Sequence, residues 1–277
     1  MWSVGIYQGD SPLGVGCSKG LSNPVLSAEK ILDIRARFVA DPFMIHEGDA
    51  WFMFFEVMNL DSEKGEIGLA TSSNGLAWDY ERIVLKEPYH VSYPHVFKCD
   101  GDHYMVPETL DAGSIRLYRA ERFPFEWKLA AVLLQGTLAD PTVFYFDDMW
   151  WMFACSTPYK HDALRLYYSK ELLAGWREHP LSPVVSGNRR LARPAGRVVV
   201  PNGRPIRFAQ DCDPAYGTQV RAFEIAELSV SGYLEAERPE SPILTPGSSG
   251  WNEKGMHHID LHLVGEGRWL ACVDGRC

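Results

Sequence analysis

The chain has 277 residues, 46% of them hydrophobic and 12% aromatic, with 23% charged and a formal net charge of −9 at pH 7. That is ample apolar material for a core and an ordinary charge content, which excludes a disordered chain. The negative balance argues against a nucleic-acid surface, and no apolar run approaches the ~20 residues that cross a bilayer.

The first ten residues, MWSVGIYQGD, lack a basic stretch followed by an apolar one, so no secretion signal is expected and the reading is a cytoplasmic protein. The six cysteines, Cys17, Cys99, Cys155, Cys212, Cys272 and Cys277, are scattered without a CxxC pair. They read as reduced, small apolar fillers and not as a zinc site, so no metal-binding residue is assigned.

Residues 2–7 (WSVGIY) predict a strand, and Gly/Ser/Pro-rich text follows to Pro24. Residues 38–56, FVADPFMIHEGDAWFMFFE, predict two apolar strands around a tight turn at 46–49, because aromatic and β-branched runs flank a Gly/Asp cluster. GEIGLATS and WDYERIVL then supply third and fourth strands around Ser73-Asn74-Gly75. The same text returns as SYPHVFKCDGDHYMVPE at 92–108 and as ADPTVFYFDDMWWMFAC at 139–155. Each is followed by alternating strands, RLYRA and RLYYS, with the period of two of a half-buried sheet. Looser copies are ARPAGRVVVPNGRPIRFAQ and HHIDLHLVGEGRWLACVD.

Taking Asp41, Tyr93, Asp140, Arg193 and His258 as anchors, the copies are 52, 47, 53 and 65 residues apart. A repeat of that length made of strands and turns predicts an all-β, five-bladed propeller with about four antiparallel strands per blade. Residues 1–277 form one domain in this reading. Residues 2–7 are expected to pair near 269–273 and close the last blade, removing a free edge. Trp78, Trp127 and Trp176 recur before each outermost strand and are expected to pack between blades. The 239–250 loop is read as a plain connection to blade five.

The anchors start the innermost strands, which line the central funnel. Glu56, Glu108, Gln210 and Asp274 end the second strands, so several should stand near the same ring, with Cys155 in the equivalent place in the third copy. Carboxylates beside an Arg, a Gln and His residues among aromatics form the default binding site. Two carboxyl groups flanking a glycosidic bond suffice to hydrolyse it if one is ionised and the other protonated. The candidate catalytic residues are Asp41, Glu108, Asp140 and Glu56. The candidate substrate-binding residues are Tyr93, Arg193, Gln210, Asp211, His257, His258 and Asp260. Asp274 is read as structural, at a turn near the C-terminus. No cofactor is required, although a structural Ca²⁺ in the funnel is compatible with its carboxylates.

VADPF, ADPTVF and the five-fold repeat resemble the propeller of glycoside hydrolase family 43 and its clan relatives. ADPFMI, FFE, GEIGLA, SYPHVF, MVPE, RLYRAERFP, ARPAGR, FAQDC, YGTQVRAFEI, HHIDLH and VDG, in this order over 30–277, resemble more closely the propeller region of plant glucosamine inositolphosphorylceramide transferases and similar bacterial proteins. The first resemblance implies Asp41 as general base and Asp140 as the residue tuning the acid. The fourth repeat offers Arg193 and Gln210 where that family has its acidic Glu, so Glu108 or Glu56 takes the acid role. The leading expectation is a glycosidase-like enzyme acting on a carbohydrate or glycoconjugate. The alternatives are a non-catalytic sugar-binding or docking propeller, and a sugar-tailoring or transferring component of a glycoconjugate or natural-product pathway.

Overall fold

The apolar hairpins pair as their alternation predicts. The structure is a computed structural model and describes residues 1–18, 20–265 and 267–277. Among the described residues regular structure consists of twenty β-strands and three single 3-10 turns, with no α-helix. After β1 (Trp2–Gly9), the first blade is β2 (Ala36–Glu47), β3 (Ala50–Asn59), β4 (Lys64–Ser72) and β5 (Asp79–Leu85). The second is β6 (Ser92–Cys99), β7 (Asp102–Glu108), β8 (Ser114–Arg122) and β9 (Glu126–Gln135). The third is β10 (Ala139–Phe146), β11 (Met149–Cys155), β12 (Ala163–Ser169) and β13 (Arg177–Glu178), with β14 (Val185–Ser186) also paired to β12. The fourth is β15 (Arg193–Pro194), β16 (Ile206–Asp211), β17 (Gln219–Leu228) and β18 (Tyr233–Glu237). The fifth takes β19 (Ile259–Leu263) and β20 (Trp269–Arg276) from the end of the chain and β1 from its start.

These five sheets form the five-bladed propeller. Inner strands of successive blades touch around the ring, β2 against β6, β6 and β7 against β10, β10 against β15, and β19 and β20 against β2. The step from blade four to blade five is a backbone bond from Ile259 N–H to Ala195 O at 2.8 Å. β1 closes the last blade along its whole length, from Trp2 opposite Arg276 to Gly9 opposite Trp269. This blade has three strands, and a bridge between Val4 and Leu26 covers the outer side of β1.

Apolar side chains fill the spaces between blades. Trp78, Trp127 and Trp176 all do what their spacing predicts. Trp78 packs with Val4, Ile6 and Leu270 of the fifth blade, Trp127 meets Phe54 of the first edge-on at 5.4 Å, and Trp176 lies against the cluster holding Val106 and Leu117 of the second. Each indole N–H bonds a carbonyl of its own turn, at Gly75, Pro124 and Leu172. The 239–250 segment runs back along β17, where Leu244 is buried and bridges Val220.

Gly196 marks the tightest point near the axis. Its φ is +127°, and a Cβ there would lie 1.8 Å from Ile259 O. Its N–H also donates to the Tyr93 hydroxyl at 2.6 Å. Gly196→Ala therefore has to open the joint between blades four and five, and we expect a loss of about 3 kcal/mol or more in denaturant unfolding.

Candidate functional site

The DP and YP dipeptides owe their place to backbone geometry. In the first three blades the inner strand slips register where Asp41, Tyr93 and Asp140 stand, between Ala40 and Phe43, Ser92 and His95, and Ala139 and Thr142. All three adopt left-handed φ values, +52°, +47° and +50°. A bulge of this kind bends the strand and re-aims one side chain, here toward the axis. The following Pro has no N–H and fits where a ladder bond is missing. Blades four and five lack the bulge. Arg193 opens β15, opposite Gln210, and His258 immediately precedes β19.

Second-strand carboxylates cross to the next blade. Asp274 Oδ2 accepts the Asp41 N–H at 3.1 Å, joining blade five to blade one. Glu108 Oε2 accepts the Asp140 N–H at 3.0 Å, joining blade two to blade three. Glu56, the equivalent residue of blade one, faces His90 Nε2 at 3.3 Å, and the other ring nitrogen of His90 accepts the Gly65 N–H. Asp274 lies inside β20, fully buried, and not at a turn. Its Oδ1 accepts three donors, the N–H groups of His257 (3.1 Å) and His258 (3.0 Å) and Nδ1 of His257 (2.7 Å).

Around this frame stand two cationic groups. Arg193 Nε donates to Asp140 Oδ2 at 2.5 Å, and its Nη2 reaches Asp140 Oδ1 at 3.3 Å and Glu108 Oε2 at 3.5 Å. Its Nη1 meets Pro158 O and His161 Nδ1, both at 3.1 Å, so the protein itself engages every nitrogen of this guanidinium. Gln210 Nε2 donates to Asp140 and to Pro194 O. His257 Nε2 lies 3.4 Å from Asp41 Oδ1, and Trp2 stacks on the His257 ring at 4.0 Å. Tyr216, which the repeat pattern does not single out, sits beneath Arg193 at 5.0 Å and edge-on to His257.

The structure thus brings Asp41, Glu56, Tyr93, Glu108, Asp140, Arg193, Gln210, His257 and His258 to one end of the axis. Tyr93 turns inward, its hydroxyl bonded to Thr142 and Gly196. Asp260 and Asp211 are engaged elsewhere. Asp260 takes Arg197, His262 and the Met44 N–H, and Arg197 goes on to carbonyls of Met44 and Val96, tying the fifth blade's inner strand to the first and second. Asp211 takes Gln219, Arg221 and the Asp213 N–H.

The ring opens only slightly to water, with 8% of the side chains of Asp41, Glu56 and Glu108 exposed. Burial is consequently the main influence on its acids. It pushes Asp41 up to about 7, with His257 pulling back and Asp274 and Asp140 adding to the rise. Burial, then Asp41 and Glu108, carry Glu56 well above the usual carboxylate range. Burial and Asp140 do the same to Glu108, against Arg193. Burial opposes the charge on His257, but Asp274 and Asp41 outweigh it and the imidazole is raised. Burial lowers His258 to about 4, and both of its nitrogens, like Asp41 Oδ1 and Gln210 Oε1, are buried without a partner.

Asp41, His257 and Asp274 come within 4.8 Å of one another, close enough to suggest a metal site. The donor set does not fit one. Four N–H groups already occupy the Asp274 oxygens, and their dipoles would face a cation with the wrong sign. On the rim, Tyr159, Lys160, Asp162, Gly187 and Arg189 line a cleft of about 390 Å³, and Tyr159 is 83% exposed.

Comparison with known proteins places this arrangement. The family model described as glucosamine inositolphosphorylceramide transferase 1, N-terminal, matches residues 1–276. The chain belongs to this family. Glucosamine inositolphosphorylceramide transferase 1 of Oryza sativa subsp. japonica is 35% identical over 300 residues, covering 99% of this chain and 40% of that protein. Its namesake in Arabidopsis thaliana is 33% identical, covering 99% of this chain and 39% of that protein. The chain therefore spans about two-fifths of these family members. Among solved structures, the catalytic domain of a Coprinopsis cinerea GH62 α-L-arabinofuranosidase superposes with a TM-score of 0.64 at 12% identity, covering 99% of this chain and 96% of that one. An exo-β-1,3-galactanase from Clostridium thermocellum gives 0.62 at 16% identity, covering 76% of this chain and 51% of that one. At such identities these likenesses establish the family's fold alone.

The raised Asp41 has a signature in stability. A carboxyl group shifted from 3.8 to about 7 on folding contributes stability that is full below pH 3.8 and is lost as pH rises toward 7. The melting-temperature advantage of wild type over Asp41→Asn should therefore shrink steadily between about pH 4 and pH 7, as followed by scanning calorimetry.

Proposed function

We propose that this domain binds a sugar of a glycoconjugate at the mouth of the ring and carries out acid–base chemistry on a glycosidic bond there, with Asp41 as base and Glu56 as acid. One observation carries the reading. Asp41, Glu56, Glu108, Asp140 and Asp274 are buried together with Arg193 and His257. With all five acids ionised, the group would be strongly negative even with both cations charged, in a place where water screens little. Such a cluster has to hold protons, and a protonated carboxyl beside an ionised one is what glycosidic chemistry needs.

The division of roles follows from the partners. Asp140 is matched by Arg193 and Gln210, and Glu108 is tied to the Asp140 N–H and to Arg193. Both belong to the frame. Glu56 has no cation of that kind and is freed from the inter-blade contact that Glu108 and Asp274 make, so it is the natural proton donor. The slightly exposed carboxylates of Asp41 and Glu56 are the groups of the ring that a sugar can reach, and exposed Tyr159 offers a stacking face at the rim. A set of aryl glycosides and glycoconjugate oligosaccharides tests this. Asp41→Asn and Glu56→Gln should each lower kcat by about 10²–10⁴-fold while the fold is kept, the usual weight of a general acid or base. Wild-type turnover by both variants removes the assignment.

Transfer to an acceptor sugar is the second reading, supported by the name of the family and by how little water reaches the ring, since excluding water suppresses hydrolysis. Here product should form only when an acceptor is supplied, at least tenfold faster than hydrolysis by mass spectrometry (a threshold of roughly 1.4 kcal/mol in barrier height).

A further inference from the structure

We infer that His257 is a positioning residue for the ring: held by Asp274, it shares one proton with Asp41 and thereby makes Asp41, among all the acids present, the one that acts as base. The inference rests on the proposed acid–base reading and adds what selects the base.

Asp274 fixes the tautomer. Its Oδ1 lies 2.7 Å from His257 Nδ1 and already accepts two backbone N–H groups. An oxygen that accepts only leaves Nδ1 as the protonated nitrogen. The ring is clamped in that orientation by Trp2, stacked at 4.0 Å, and by Tyr216 edge-on at 5.2 Å. Nε2 thereby faces Asp41 Oδ1 at 3.4 Å, within ion-pair range of a buried oxygen that has no hydrogen-bond partner. Between a carboxyl oxygen and an imidazole nitrogen so placed there is room for one proton. It resides on Oδ1 with a neutral ring, or on Nε2 as an imidazolium facing a carboxylate.

The charges around the pair favour holding that proton. Asp274 lies behind His257, Asp140 and Glu56 stand across from Asp41, and Glu108 is one blade further. The opposing cation is Arg193, engaged with Asp140 and Glu108. Arg276 lies on the far side of the Trp2 ring, 5.3 Å from its centre. His258 is the other imidazole near Asp41, at 3.8 Å, but it has no carboxylate bound to either nitrogen and burial keeps it neutral. Neither Glu56 nor Glu108 has an imidazole backed by a carboxylate, so of these three acids Asp41 is the one most easily kept ionised.

The test is long-range ¹H–¹⁵N correlation of the full chain with ¹⁵N-labelled histidine across pH, with His257 assigned by its loss in His257→Gln. The expected wild-type spectrum shows Nδ1 protonated and a titration midpoint above that of a free histidine. Asp41→Asn should lower the midpoint by about one unit or more, the effect of removing a carboxylate at this range. Asp274→Asn should also shift the tautomer. If Asp274→Asn does not fold, the near-isosteric Asp41→Asn still decides the question. A His257 midpoint unmoved by Asp41→Asn, or a wild-type ring protonated only at Nε2, overturns the inference. These readings need no turnover, so they separate the coupling from the acid–base reading: coupling in a protein inert toward every glycoside sinks the choice of a base, whereas Asp41-dependent turnover with an uncoupled His257 sinks this inference alone. Where turnover is found, His257→Gln should move the acidic limb of the pH–rate profile as well as lowering kcat.

Discussion

The carboxylate of Asp274 is the constraint on which the ring depends. It accepts the N–H of Asp41, the N–H groups of His257 and His258, and the His257 side chain. Through it the fifth blade is joined to the first at the axis, beside the apolar contacts that join them further out. A buried carboxylate surrounded by four donors remains charged, and this group is held below the usual range despite its burial, with His257 and His258 outweighing the desolvation. The contact made by Glu108 to Asp140 repeats the device one step around the ring. Buried carboxylates thus serve twice here: Asp274 and Glu108 hold the blades in register, and Asp41 and Glu56 face the same ring.

This double use explains why the site is both crowded and dry. A propeller with only apolar inner strands would have an axis with no way to satisfy the bulged N–H groups of Asp41 and Asp140. Satisfying them with carboxylates places negative charge at the centre, which Arg193 offsets in part, while burial and the neighbouring acids raise the proton affinity of Glu56, Glu108 and Asp41. Arg197 and Asp260 form a second paired set of charges, bonded to β2 and β6 through Met44 and Val96. The polar atoms left without partners, on His258, Asp41 and Gln210, are buried within the ring.

Much of this was legible in the sequence, because hairpin text repeated at near-regular spacing can bury its apolar faces only by stacking sheets around an axis. The pairing of the first strand with the last, the Trp positions and the convergence of Asp41, Glu56, Glu108, Asp140, Arg193 and His258 all follow from that repeat. What it could not convey is which polar side chain meets which. Asp211 and Asp260 stand one and two places after ring positions, but their neighbours Arg221 and Arg197 engage them. Asp274 reads as a turn residue because Gly follows it, although the strand runs on to Arg276. Tyr216, His161 and Trp2 enter from loops or from the opposite end of the chain, where no periodicity points to them. His257 is already a candidate in the HHID text, but its place between two carboxylates shows only in the structure.

β1 has a consequence beyond closing a sheet. It carries Trp2, whose indole covers His257, so the seal of the propeller and the cover of its most sensitive imidazole are one segment. Peeling eight residues from the edge of the molecule would admit water to the Asp41–His257 contact and dismantle the proton economy of the centre without touching a single acid. The state of that imidazole should thus report whether the circle is shut, since a ring still open at this seam would leave His257 uncovered even with every blade already formed.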